Sequence, residues 1–79
     1  MAASKPDRHP SFRIPRLSSK EMIRLLEREG FAVVSIRGSH CKLRNGAGIS
    51  VIVPLGRDPL RLGTQQAIVA LAGISHVTK

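Results

Sequence analysis

The chain has 79 residues, and its 13 Lys and Arg against 5 Asp and Glu give a formal net charge of +8. This length predicts one small domain with a thin hydrophobic core, and this charge favours nucleic acid, an anionic membrane surface or an acidic protein as partner. Since no apolar run could span a membrane and one cysteine cannot form an internal disulfide, a cytoplasmic protein without a membrane partner is expected.

Residues 1–17 are rich in cations and prolines and predict a flexible basic N-terminal arm. Pro6, Pro10 and Pro15 interrupt any helix in this stretch, and its polar composition lacks the apolar core of a secretory signal. The arm is interpreted either as a contact with RNA or a partner, or as a disordered leader.

A first helix is predicted over residues 19–29. Ser18 and Glu21 have the spacing of a capping box, and Gly30 stands where a left-handed residue closes a helix. Cations every four residues would form a basic ridge along this helix, consisting of Lys20, Arg24 and Arg28. The ridge is interpreted either as a phosphate contact or as a solvated face. In the second case, nearby glutamates offset its positive charge.

Three short strands follow and predict an antiparallel meander. The first spans residues 31–37, the second ends at Arg44, and the third spans residues 49–53 before Pro54. Gly38-Ser39 and Asn45-Gly46 are the hairpin turns between them. Strict alternation would divide the first strand between two faces, with Ala32, Val34 and Ile36 on one and Phe31, Val33, Ser35 and Arg37 on the other.

The chain then predicts a loop over residues 54–63 and a final helix over residues 65–72, with Thr64 as N-cap and Gly73 as the closing residue. Its predicted apolar face consists of Ala67, Ile68, Leu71 and Ala72. The expected fold is therefore α+β, with two helices on one face of a three-stranded antiparallel sheet. Residues 18–75 form the domain, and residues 76–79 are expected to fray.

The second strand carries the candidate site. Alternation places His40, Lys42 and Arg44 on one face, whereas Cys41 and Leu43 point into the core. Histidine can act as a general base near neutral pH, and flanking cations can neutralise the charge of a phosphodiester. Further candidate phosphate contacts are Lys20, Arg24, Arg37 and Arg57.

Other kinds of site find little support in the sequence. The three histidines are far apart beside one cysteine, so no metal site and no cofactor are expected. Ser39 lacks the motif and the acid partner of a catalytic triad. With two Phe and no Trp or Tyr, the chain also lacks the aromatic residues on which single-stranded RNA is commonly stacked.

An ordered set of short motifs resembles the HicA toxin family, small ribonucleases of toxin–antitoxin pairs. The motifs are Ser-Lys-Glu-Met-Ile-Arg-Leu-Leu-Glu (19–27), Glu-Gly-Phe (29–31), Gly-Ser-His (38–40), Val-Ile-Val-Pro (51–54), Leu-Gly-Thr (62–64) and Leu-Ala-Gly-Ile (71–74). The resemblance covers residue 18 to about residue 75. It implies an α-β-β-β-α fold like that of double-stranded-RNA-binding domains.

The resemblance also implies cleavage of messenger RNA (mRNA), inhibition by a HicB-type antitoxin, and catalysis by the signature histidine. This histidine corresponds to His40, and the turn glycine corresponds to Gly38. Many members have a second histidine where this chain has Cys41; because that position faces inward, His40 is favoured as the catalytic residue. Two alternatives are a non-catalytic nucleic-acid-binding module and a small protein that binds an acidic partner.

Overall fold

The structure is a computed structural model that describes residues 15–75. Its elements are α1 (Ser19–Arg28), β1 (Ala32–Arg37), β2 (His40–Arg44), β3 (Ser50–Pro54) and α2 (Leu62–Ala72). The strands form one antiparallel sheet in the order β1-β2-β3, which confirms the predicted α+β fold. Neither helix in this part of the chain is long and apolar enough to cross a membrane. Most of the predicted arm (1–14) and the predicted tail (76–79) lie outside the described residues.

Local signals in the sequence determine both ends of α1. The Glu21 backbone N–H donates to Ser18 Oγ at 3.1 Å, and the Ser18 N–H donates to Glu21 Oε1 at 2.8 Å, so the predicted capping box is confirmed. At the other end Gly30 has φ 96°, and the Phe31 N–H donates to the Leu26 carbonyl at 2.9 Å. This is the Schellman ending, in which a left-handed glycine allows the chain to turn back onto the last helical turn.

One face of the sheet packs against both helices. Alternate residues of β2 and β3 point into this core, and Cys41, Leu43, Val51 and Val53 are at most 2% exposed. They join apolar side chains from α1 and α2 in one cluster, including Met22, Leu26, Ile68 and Val69. The predicted inward orientation of the cysteine and leucine on β2 is confirmed. The opposite face, called the open face below, carries the other residues of β2.

A β-bulge interrupts the predicted alternation of β1: Ser35 and Arg37 still share a face and Ile36 lies on the other, but Ala32 and Val33 exchange faces. Val33 is opposite Leu43, yet Ser35 is opposite the adjacent Lys42, so Val34 is an extra residue in the ladder. Directly opposite residues share a face, so Val33 and Ile36 lie on the helix side. Ala32, Ser35 and Arg37 consequently lie on the open face.

The second helix begins earlier than predicted and is rotated about its axis. It starts at Leu62 with Arg61 as N-cap, and Thr64 lies inside its first turn rather than capping it. Its buried residues are Gln65, Ile68 and Val69, whereas Leu71 is 58% exposed. The predicted apolar face is confirmed for Ile68 and Ala72, which lie in or against the core, but Ala67 and Leu71 are exposed. The prediction ranked residues by hydrophobicity and left out the buried glutamine.

The glutamine is buried because it binds the chain just before α1. Gln65 Nε2 donates to the Pro15 carbonyl at 2.7 Å, and Gln65 Oε1 accepts from the Leu17 N–H at 2.8 Å. Leu17 is fully buried, and its carbonyl accepts from the Leu60 N–H at 2.8 Å. Residues 15–17, which the sequence assigns to the basic arm, therefore pack against the folded domain.

Candidate functional site

The candidate site is built around the hairpin between β1 and β2. Gly38-Ser39 forms its two-residue turn, and Gly38 has φ 55°, which glycine adopts at little cost. His40, the first residue of β2, is exposed and is flanked by Arg37 on β1 and Pro54 on β3. Opposite residues of an antiparallel pair have Cα atoms about 4.5–5.5 Å apart, so the turn holds the histidine beside an arginine.

The open face contains a shallow depression of about 280 Å³, called the sheet depression below. Its lining consists of Ser35, Arg37, His40, Lys42 and Ile52. Three predicted site residues, one histidine and two cations, are therefore brought together. The histidine and both cations reach this depression from adjacent strands, so no movement of the backbone is required to assemble them.

Sequence reasoning did not identify Ser35 and Ile52 as site residues. Ser35 lies on the open face because the two-residue turn pairs Arg37 with His40, and regular alternation from Arg37 then places Ser35 opposite Lys42. Ile52 is 52% exposed and lies opposite Lys42. Its position could have been found, because Val51 and Val53 point inward and alternation then turns Ile52 outward.

Arg44 lies on the same face but outside the sheet depression. It ends β2, four residues after His40, which is roughly 13 Å along an extended strand. Its Nε donates to Ser50 Oγ on β3 at 3.1 Å. The structure therefore separates Arg44 from the cations that lie near the histidine.

Other predicted phosphate contacts lie at the start of α1. A second depression of about 320 Å³, called the helix-start depression below, is lined by Ser18, Ser19, Lys20, Gly56, Arg57 and Asp58. Arg24 is exposed one turn further along α1 and lines neither depression. The predicted set thus divides into a group on the sheet and a group at the start of α1.

Ser19 and Pro54 connect the two depressions. Ser19 Oγ donates to the Pro54 carbonyl at 2.6 Å and accepts from the Arg57 N–H at 2.9 Å. Pro54 is in turn the β3 partner of His40. Both depressions therefore adjoin the same end of β3.

The side chains around His40 limit the chemistry of the site. Within residues 15–75, no hydrogen bond orients the imidazole ring, and no three His, Cys, Asp or Glu residues are grouped to hold a metal ion. Cys41 follows the histidine but is 1% exposed. Burial, and to a smaller extent the nearby Glu27 carboxylate, raises the pKa of the Cys41 thiol, which disfavours the nucleophilic thiolate.

Fold and site together define a small α-β-β-β-α protein whose open sheet face presents a histidine between cations. The family model described as the HicA toxin of bacterial toxin–antitoxin systems matches residues 19–74. The chain belongs to this family, so its role is that of the toxin in a toxin–antitoxin pair. Comparison with curated proteins gives no significant match.

Proposed function

We propose that this toxin is a metal-independent endoribonuclease that cleaves mRNA, with His40 as general base. The observation that carries the proposal is the position of the histidine in the sheet depression between Arg37 and Lys42. Histidine can take a proton near neutral pH, and the two cations can stabilise a phosphate whose negative charge increases during reaction. A HicB-type antitoxin and a cytoplasmic location complete the proposal.

The proposed reaction uses the 2′-hydroxyl of the RNA itself. His40 removes the hydroxyl proton, the 2′-oxygen attacks the adjacent phosphorus, and the bond from phosphorus to the 5′-oxygen breaks. The products are a 2′,3′-cyclic phosphate and a 5′-hydroxyl. Because the histidine is exposed, water can supply the proton that the departing 5′-oxygen requires.

The other residues of the sheet depression would position the RNA. The Arg37 guanidinium can donate two parallel hydrogen bonds to phosphate oxygens, and the Lys42 ammonium adds a compact positive charge. Ile52 supplies apolar surface for a base or ribose where a stacking aromatic residue is lacking. Lys20 and Arg57 would bind phosphates further along the same strand of RNA.

One observation favours the alternative of a non-catalytic RNA-binding module. Catalytic bases are commonly oriented by a second group, yet within residues 15–75 no side chain or carbonyl holds the His40 ring. In the proposed enzyme the bound RNA itself would orient the ring. The basic residues near both depressions would bind RNA equally well without any cleavage.

The test is digestion of a defined RNA by the wild-type protein and by His40→Ala, with analysis of the product ends. Wild-type protein should leave 2′,3′-cyclic phosphates in the presence of a chelator. His40→Ala should lower the rate by at least about a hundredfold and leave RNA binding largely unchanged. Intact RNA after incubation with folded wild-type protein would favour the binding module instead.

A matched pair of arginines tests the geometry of the site. Arg37→Ala, which alters the sheet depression, should lower the cleavage rate roughly a hundredfold, the usual effect of removing one charge-stabilising donor. Arg44→Ala removes the same charge from the same face, beyond that depression, and should change the rate less than about threefold. Equal reductions in both variants would contradict a site centred on His40.

A further inference from the structure

Within residues 15–75, the outer edge of the first strand has no strand partner and is called the free edge below. β1 is an outer strand of the sheet, and in the described part of the chain it pairs only with β2. All six residues of Ala32–Arg37 are exposed. An outer strand presents a row of backbone donors and acceptors that can pair with a strand from another protein.

The helix side of β1 adds apolar surface to this edge. Val33 is 41% exposed and Ile36 is 59% exposed, although both lie on the face that the helices cover elsewhere. They remain exposed because α1 and α2 pack mainly against β3, the strand at the opposite edge of the sheet. Exposed apolar side chains on a free edge are typical of a surface that is covered in a complex.

The open side of the same strand is positively charged. Arg37 ends β1, and Lys42 lies opposite Ser35 on the adjacent strand. A strand added to β1 would therefore have one face over apolar side chains and the other beside cations. The strand that fits best alternates apolar residues with Asp or Glu, because successive residues point to opposite faces.

We propose that the antitoxin binds by adding such an amphipathic strand to the free edge of β1. The proposal rests on the toxin–antitoxin partnership that family membership establishes, and it does not require ribonuclease activity. A second copy of this chain fits the edge less well, because β1-to-β1 pairing would bring the open-face cations of two molecules, each of net charge +8, close together. Acidic side chains of the antitoxin would lie beside Arg37 and compete with phosphate.

The test measures binding of the full-length toxin to the purified antitoxin encoded by the neighbouring gene. Ile36→Lys places a charge at the free edge, and Leu71→Lys is the matched control on α2, since the two wild-type side chains are 59% and 58% exposed. Ile36→Lys should raise the Kd at least about tenfold, and Leu71→Lys less than about threefold. Circular dichroism of each variant verifies that it is folded.

Hydrogen exchange of the wild-type complex tests strand addition without any substitution. Backbone amides of β1 that exchange fast in the free toxin should become protected when the antitoxin is bound. Unprotected β1 amides in a saturated complex, or equal reductions of affinity in the two variants, would overturn the proposal. A free toxin whose mass is that of a dimer and which Ile36→Lys dissociates would also overturn it, by assigning the edge to a second copy.

Discussion

Two adjacent residues of β2, His40 and Cys41, have opposite environments. The imidazole is exposed on the open face, whereas the thiol is 1% exposed in the core. Strand alternation alone produces this difference, since successive side chains leave the backbone in opposite directions. The position at which many HicA toxins have a second histidine is therefore a core position in this protein.

The raised pKa of Cys41 predicts a pH dependence of stability. The folded thiol holds its proton to higher pH than the unfolded thiol, so the unfolded state ionises first as the pH rises above about 8.5. The contribution of Cys41 to folding is thus fully present below that pH and declines above it. The free energy of unfolding, measured in urea, should decrease between about pH 7 and about pH 10. This decrease should be larger for the wild type than for Cys41→Val.

Two comparisons separate this effect from the titration of other groups. The variant shares every lysine and arginine with the wild type, so only the difference between their pH profiles reports on the thiol. Glu27→Gln should reduce that difference slightly, because its carboxylate is the smaller cause of the raised pKa. Parallel profiles of wild type and Cys41→Val would exclude a perturbed thiol.

At the scale of elements, a buried side chain fixes α2 against the start of the domain. Gln65 satisfies backbone groups on both Pro15 and Leu17, and each bond crosses nearly fifty residues of sequence. No local propensity predicts this, because a glutamine is ordinarily a solvated helix residue. The hydrogen bonds explain why α2 turns a polar residue toward the core and leaves Leu71 exposed.

Replacement of this glutamine should destabilise the protein markedly. Gln65→Leu leaves the Leu17 N–H and the Pro15 carbonyl without their side-chain partner, which should cost about 2–4 kcal/mol of unfolding free energy. The control is Gln66→Leu, the same change at the exposed neighbouring position, which should stay within about 0.5 kcal/mol. Chemical denaturation measures both, and similar costs would mean that the two bonds contribute little.

At the scale of the whole molecule, four of the 13 Lys and Arg behind the net charge of +8 line the two depressions: Arg37 and Lys42 on the sheet, and Lys20 and Arg57 at the start of α1. The sequence predicts affinity for a polyanion but does not say which cations would act together. The fold brings Lys20 and Arg57 together although they are far apart in sequence.

The salt dependence of RNA binding tests this arrangement. In the His40→Ala background, the logarithm of the association constant should fall linearly with the logarithm of salt concentration. Replacing both Lys20 and Arg57 with Gln should reduce the slope by about 0.7 for each phosphate of single-stranded RNA that is no longer neutralised. Arg28→Gln, an exposed cation of α1 outside both depressions, should leave the slope unchanged. An equal change in Arg28→Gln would favour a diffuse basic ridge.

The sequence by itself determined the order of elements, both ends of α1 and the orientation of β2. Each of these depends on residues within one helical turn or one strand: the Ser18 and Glu21 capping box, the left-handed Gly30, and the alternation around His40. Such signals act over a few residues and can be read directly from the chain.

Only the tertiary structure decided which predicted cations lie beside the histidine and which face α2 buries. The bulge in β1 moves Val33 to the helix side, and the sheet depression includes Arg37 and Lys42 but leaves Arg44 apart. Gln65 turns inward because its partners come from the other end of the domain. These outcomes depend on contacts between residues distant in sequence, which local propensity and periodicity do not encode.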